Sequence, residues 1–228
     1  MVLDNRLKMI YDLLPNGCLC DIGTDHCRLC VYSILNNKAS HAYATDINKG
    51  PLLAAKRLVE KYGLIDRIDL ILSDGFKQID GRVLNRVDNF VIAGMGGQLI
   101  SKIMSDSKKK DATFVLQPMN ANDILSEFIC KNGYRIIKRA LCKHAGKFYI
   151  AMVVKYDGIE RPVQYWSGYE KDKILFEYLD FERLKLEKKI EGLKMANTPN
   201  LYEIEKANTM LDLLYEEGEN YGYSKADI

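Results

Sequence analysis

Five short apolar runs separated by stretches of helical periodicity constrain this chain more than any other feature, because such alternation folds into a parallel sheet with helices on both faces. The runs cover residues 18–22, 41–46, 68–73, 89–93 and 113–117, and helices are expected over about 5–14, 28–36, 51–62, 98–105 and 122–132. Punctuation supports these bounds. Pro15-Asn16-Gly17 stops the first helix, Pro51 suits a helix first turn where its missing N–H costs nothing, and Gly63 suits a helix stop. Two further strands, over 134–142 and 147–156, are joined through His144-Ala145-Gly146 as an antiparallel hairpin.

After Gly158 the texture changes. Over 169–196 charged residues surround Leu175, Leu179, Leu186, Ile190 and Leu193, and over 201–215 the apolar stripe is Leu201, Ile204, Asn208, Leu211 and Tyr215. Asn197-Thr198-Pro199-Asn200 separates the two helices, offering a cap followed by a proline suited to a first turn. Helices joined so closely fold back antiparallel. The expected organisation is an α/β domain over 1–157 and a helical hairpin, a short coiled coil, over 158–228.

A chain of 228 residues, 47% hydrophobic and 28% charged, has globular composition, and no window approaches the ~18 uninterrupted apolar residues of a membrane span. No membrane contact is expected. The start, Met1-Val2-Leu3-Asp4-Asn5-Arg6, is acidic and amphipathic and does not resemble a secretory signal, so the expected compartment is cytoplasmic. Cys18, Cys20, Cys27 and Cys30 cluster, but the first pair falls on a strand and the second on a helix, without the paired knuckle turns of a zinc ribbon. Buried, reduced thiols and no metal are expected. The net charge of +2 conceals an asymmetry: 23 Lys+Arg against 16 Asp+Glu through Asp157, then 10 against 15. A basic front half suits a polyanion such as RNA.

In a doubly wound sheet ligands bind beyond the carboxyl ends of the strands, and there this chain concentrates acids and glycines. Asp21-Ile22-Gly23-Thr24-Asp25-His26 closes the first strand, Asp46 the second, Ser73-Asp74-Gly75 the third and Ala93-Gly94-Met95-Gly96-Gly97 the fourth. Asp21 with Gly23 suits a cationic, amino-acid-bearing ligand: the glycine admits it to the backbone and the carboxylate faces its ammonium group. Asp46 is placed to accept from ribose hydroxyls. Asp74 suits an adenine amino group, with Gly75 permitting close approach. The glycines flanking Met95 leave the backbone exposed and free to adopt positive φ. The Gly-x-Gly-x-x-Gly fingerprint is absent, Asp25 standing at its second glycine, which argues against a nicotinamide dehydrogenase.

Together with Asp46-Ile47-Asn48-Lys49-Gly50-Pro51 and Leu116-Gln117-Pro118, these motifs resemble the bacterial tRNA adenine-N1 methyltransferases that act on adenosine 22 in the D arm, over nearly the whole chain. The resemblance implies a Rossmann-like class I methyltransferase sheet with a C-terminal coiled coil, S-adenosyl-L-methionine as cofactor and tRNA as partner. It implies cofactor contacts from Asp21, Gly23 and Thr24, from Asp46, Ile47 and Asn48, from Asp74 and Gly75, and from Ala93, Gly94, Met95 and Gly96. The catalytic residues it points to are Asp25, steadying the charge that develops on the base, and His26 beside it. Arg6, Lys8, Arg28, Lys49 and Arg57 are the expected substrate contacts, although Cys27-Arg28-Leu29-Cys30 departs from the usual family sequence.

No obligate protein partner is evident, and a monomer is expected. Two other readings share these residues: a class I methyltransferase acting on a protein or small molecule, and a non-catalytic RNA-binding protein with a vestigial pocket.

Overall fold

The computed structural model describes residues 1–223; residues 224–228, the end of the expected hairpin domain, lie outside the described residues. The chain divides into two compact units, Met1–Val163 and Gln164–Ile228. The first runs past the change of texture at Gly158 because Arg161 is tied back. Its N–H donates to Cys130 O at 3.1 Å, and its guanidinium reaches Tyr134 O and the Asp157 carboxylate.

The first unit carries β1 (Gly17–Ile22), β2 (Ala39–Asp46), β3 (Ile68–Leu72), β4 (Asn89–Met95), β5 (Thr113–Pro118), β6 (Tyr134–His144) and β7 (Lys147–Tyr156). These form one sheet in the order β3-β2-β1-β4-β5-β7-β6. The first five strands are parallel, and β7 is antiparallel to both β5 and β6. The helices are α1 (Asn5–Leu13), α2 (Arg28–Leu35), α3 (Lys49–Lys61), α4 (Gly81–Arg86), α5 (Gly97–Ser105) and α6 (Asn122–Lys131). The α/β class expected from the alternation, and the Rossmann-like sheet that the resemblance implies, are the ones formed.

Local chemistry explains the bounds. Asp4 caps α1 by accepting from Leu7 N at 2.9 Å, and Gly63, at φ +64°, stops α3. The β6–β7 turn is only Ala145-Gly146, both at positive φ, as a two-residue hairpin turn matching the strand twist requires. The short α4 has no counterpart among the expected helices. Its one local signal is Asp80, whose Oδ1 accepts from Arg82 N at 2.7 Å.

Strands buried on both faces form the core, with Phe90 stacked on Phe114 and met edge-on by Phe76. Two basic residues on the late strands and loops serve structure. Arg139 is buried and donates to Ser126 Oγ, and Lys110 donates to Tyr134 Oη while lying against the Tyr134 and Tyr156 rings.

The second unit holds α7 (Lys173–Lys194) and α8 (Leu201–Glu219). Lys189 pairs with Glu203 at 3.0 Å while Arg183 reaches Tyr223 Oη at 3.1 Å, so position falls along one helix as it rises along the other, and the pair is antiparallel. Of the expected α8 stripe, Tyr215 is buried and Ile204 and Leu211 are half-buried, whereas Leu201 and Asn208 are exposed; Ala207, Leu214 and Gly218 complete the buried face, the small Ala207 standing where the amide of Asn208 prefers water. Asn200 caps α8, accepting from Glu203 N at 3.2 Å, which leaves Pro199 outside the helix and not in its first turn. Glu217 accepts from the backbone N–H groups of Tyr165, Trp166 and Ser167, folding the lead-in segment onto its own unit.

Candidate cofactor and substrate site

Helical crossovers diverge between β1 and β4, and there a cavity of about 630 Å³ opens at the carboxyl ends of the strands. The loop leaving β1 builds one wall. Gly23 N and Thr24 N both donate to Thr45 O, at 2.9 and 2.8 Å. Gly23 sits at φ +77°, a left-handed backbone that favours glycine, and the space a Cβ would occupy is filled by the terminal methyl of Met95, at 2.1 Å. The chain then passes through left-handed conformations at Asp25 (φ 53°) and Cys27 (φ 58°) before entering α2. Such backbone persists where surroundings fix it; here Asp25 N donates to Asp46 Oδ2 at 3.4 Å and Cys27 N to Thr24 O at 3.0 Å.

Asp21 is 5% exposed and accepts from Thr24 Oγ1 at 2.7 Å. Burial pushes its carboxyl up to about 6, against the lowering pull of the Thr24 and Cys30 contacts and of Arg6. Among the described residues no lysine, arginine or histidine forms an ion pair with it. A buried carboxylate without a counter-ion, on the wall of a cavity, is chemistry that a cationic ligand completes. Asp46 already works within the protein: Oδ1 accepts from Asn48 N at 2.9 Å and Oδ2 from Asp25 N. Each oxygen keeps a further lone pair for a ligand hydroxyl.

The fourth strand end is held from β5 and α1. Gln117, fully buried, accepts through Oε1 from Arg6 Nη1 at 2.9 Å and from Gly94 N at 3.2 Å, and donates through Nε2 to Pro118 O. Of the glycines around Met95, only Gly94 takes positive φ, at +77°. Gly97 is required for space, since a Cβ there would meet Ala121 O at 2.1 Å. The expectation of conformational freedom therefore applies to one glycine, while close packing explains another.

Most of the expected site residues gather on this cavity: Asp21, Gly23, Thr24, Asp25 and His26; Asp46, Ile47 and Asn48; Asp74 and Gly75; Ala93, Gly94 and Met95; and Arg6 and Arg28. Gly96 does not line it. Asp74 is exposed and engaged with Lys77 Nζ at 2.6 Å, a bond that holds its carboxyl below the usual range. Asp25 and His26 are exposed, and His26 Nε2 stands 3.6 Å from Asp25 Oδ1, beyond hydrogen-bond distance. Lys8 pairs with Asp12 away from the cavity, Lys49 is exposed in the first turn of α3, and Arg57 lines a separate hollow. Asp4, Leu7, Leu99 and Ile103 also line the cavity, and Gln117 supports it; of these only Gln117 carried a signal, as an amide closing an apolar strand.

These residues fit S-adenosyl-L-methionine. The unpaired, buried Asp21 suits its positive charge, Asp46 suits ribose hydroxyls, and the exposed Ile47 offers an apolar cover for a base.

Comparison with known proteins points the same way. Residues 3–152 match the family described as a methyltransferase domain. The Bacillus subtilis tRNA (adenine(22)-N(1))-methyltransferase is 38% identical over 168 residues, 69% of each chain. The crystal structure of the B. subtilis m1A22 tRNA methyltransferase TrmK is 28% identical with a TM-score of 0.79, covering 94% of this chain and 98% of that one. M. capricolum TrmK, solved with S-adenosyl-homocysteine, is 26% identical with a TM-score of 0.81, covering 95% and 97%. From its β1 loop, its strand order and these likenesses, the chain belongs to the tRNA (adenine(22)-N1)-methyltransferase family.

Proposed function

We infer that this protein transfers a methyl group from S-adenosyl-L-methionine to N1 of adenosine 22 in tRNA. The observation that carries the reading is the buried Asp21, without an ion pair among the described residues, on a cavity at the β1–β4 switch point, in a chain of this family. The cofactor, when bound, supplies an electrophilic methyl on a sulfonium. Asp46 holds the ribose hydroxyls and, through its bonds to Asp25 N and Asn48 N, keeps the surrounding loops in place. Asp21 balances the positive charge of the ligand's amino-acid end.

Adenine N1 carries no proton in the neutral base, so the protein needs no general base for attack, and positioning supplies much of the rate. The base becomes cationic as the methyl arrives. We assign to Asp25, exposed at the mouth, the steadying of that charge through the exocyclic amino group. N1 lies on the Watson–Crick edge, so a paired or stacked adenosine must be extruded to reach the cavity.

No helix among the described residues is long and apolar enough to cross a membrane; we place the activity in the cytoplasm and assign it to a monomer. The experiment is methyl transfer from labelled cofactor to total tRNA, with the modified position mapped, alongside the protein's molecular mass in solution. Label at N1 of adenosine 22 on a monomer is expected. Label in protein or small molecules, or none in tRNA, overturns the reading.

A further inference from the structure

A second, shallower hollow of about 420 Å³ opens beside the cavity, on α3. Ala54, Arg57, Leu58 and Lys61 recur at three- and four-residue steps and so share one side of that helix, and Tyr62 at its C-cap adds part of an aromatic ring. His26 and Arg28 line both spaces, which therefore share a wall. The charges of the hollow are of one sign: Arg28, Arg57 and Lys61 contribute, and no Asp or Glu lines it. Arg28 is partly engaged, donating to Val2 O at 2.8 Å with Asp4 Oδ2 at 3.8 Å. Among the described residues neither Arg57 nor Lys61 pairs with an acid, and Lys61 Nζ stands 5.9 Å from the Tyr62 ring centroid.

We propose that this hollow is a subsite for the nucleotide flanking the target adenosine, taking its phosphodiester on Arg57 and Lys61 and its base against Ala54, Leu58 and Tyr62. The assignment rests on the tRNA-methylation reading of the adjoining cavity and deepens it. Extruding a base swings the adjoining backbone with it, so the phosphate beside an adenosine seated in the cavity leaves across the rim, where His26 and Arg28 form the shared wall. Single-stranded nucleic acid is held by cations along the backbone together with apolar or aromatic faces under the bases. This hollow supplies both, and a solvated helix face needs neither the apolar floor nor the absence of acids.

The test uses the full chain with Arg57→Ala and Lys61→Ala combined; both side chains are exposed, so the fold is kept. Labelled S-adenosyl-L-methionine and total tRNA are the probes. The double variant is expected to raise KM for tRNA about tenfold and to flatten the salt slope of binding by about 0.7, the loss of one phosphate contact, with cofactor affinity within about twofold of wild type. Arg57→Lys with Lys61→Arg, which keeps the charges, should restore the slope. An active wild type together with a double variant of unchanged KM and slope overturns the subsite and leaves the methylation reading standing. A wild type that moves no methyl to tRNA overturns both.

Discussion

Arg6 Nη1, from α1, donates to Gln117 Oε1 at 2.9 Å, and the same oxygen receives the N–H of Gly94 at 3.2 Å. One buried amide thus fixes the left-handed peptide at the β4 end and holds a guanidinium at the cavity wall. Gln117→Leu removes the acceptor from both donors, and an unsatisfied buried donor costs about 1–3 kcal/mol. We expect a lowered Tm and methyl transfer reduced by about tenfold or more, with Gln117→Glu, which keeps the acceptor oxygen but loses the Nε2 donor to Pro118 O, recovering only part of both. Thermal unfolding and turnover check this. A leucine variant equal to wild type in both would show the network to be idle.

That network marks where sequence reasoning stopped. The five parallel strands were legible because each is a short apolar run ended by an acid, glycine or proline, and the strand-end rule then located Asp21, Asp46 and Gly94. Left-handed backbone at Asp25 and Cys27 was not legible, since neither is glycine and the hydrogen bonds that hold them come from Asp46 and Thr24. Along α8 the expected stripe holds at Ile204, Leu211 and Tyr215 and fails at Asn208, because spacing does not distinguish Ala207 from Asn208 as the contact residue. Nothing local in the sequence marks Arg139 as buried, which is a matter of tertiary packing.

Asp21 makes cofactor binding depend on pH. Its carboxyl, usually near 3.8, is raised to about 6 by burial. Because the folded-state value is the higher one, the stability it contributes is fully present below about 3.8 and is lost as pH rises through about 6 in the cofactor-free protein. A bound cation favours the ionised form, so cofactor affinity should rise across the same window, with proton uptake by the unbound protein released on binding. Calorimetry in buffers of different ionisation enthalpy measures both effects. Asp21→Asn should flatten the dependence, and an unchanged profile in that variant would remove Asp21 from the cofactor's charge balance.

Asp46 holds two loops besides any ligand. Asp46→Ala removes acceptors for Asp25 N and Asn48 N as well as for ribose hydroxyls, so cofactor binding should weaken by at least the ~1.5–3 kcal/mol of a charge-assisted hydrogen bond. Hydrogen exchange at Asp25 and Asn48 should rise in the same variant. Binding within about twofold of wild type, well short of that energy, would take Asp46 out of the ribose contact.

Asp25→Asn separates charge from backbone. Asparagine tolerates the left-handed conformation that Asp25 adopts, so the loop is kept while the carboxylate is lost. Turnover on tRNA should fall by about tenfold or more with cofactor affinity little changed, the pattern of an interaction made in the transition state. Equal losses in both would move Asp25 into the cofactor shell.

Residues 1–163 form a compact unit that contains every cofactor residue named above, and Arg161 anchors its end to Cys130, Tyr134 and Asp157. A protein ending at Val163 should therefore fold and bind S-adenosyl-L-methionine, and a cut at Tyr156, which removes that anchor, should be less stable. Methylation of tRNA should fall in the shorter chain. The second unit is acidic, and Lys185 and Lys189 already pair with Glu182 and Glu203. The salt slope of tRNA binding, which counts neutralised phosphates, should accordingly change little on truncation, whereas charge removal at Arg57 and Lys61 should flatten it. A slope that collapses when the hairpin is removed would make the second unit the main RNA-binding surface and reverse the reading of the charge asymmetry.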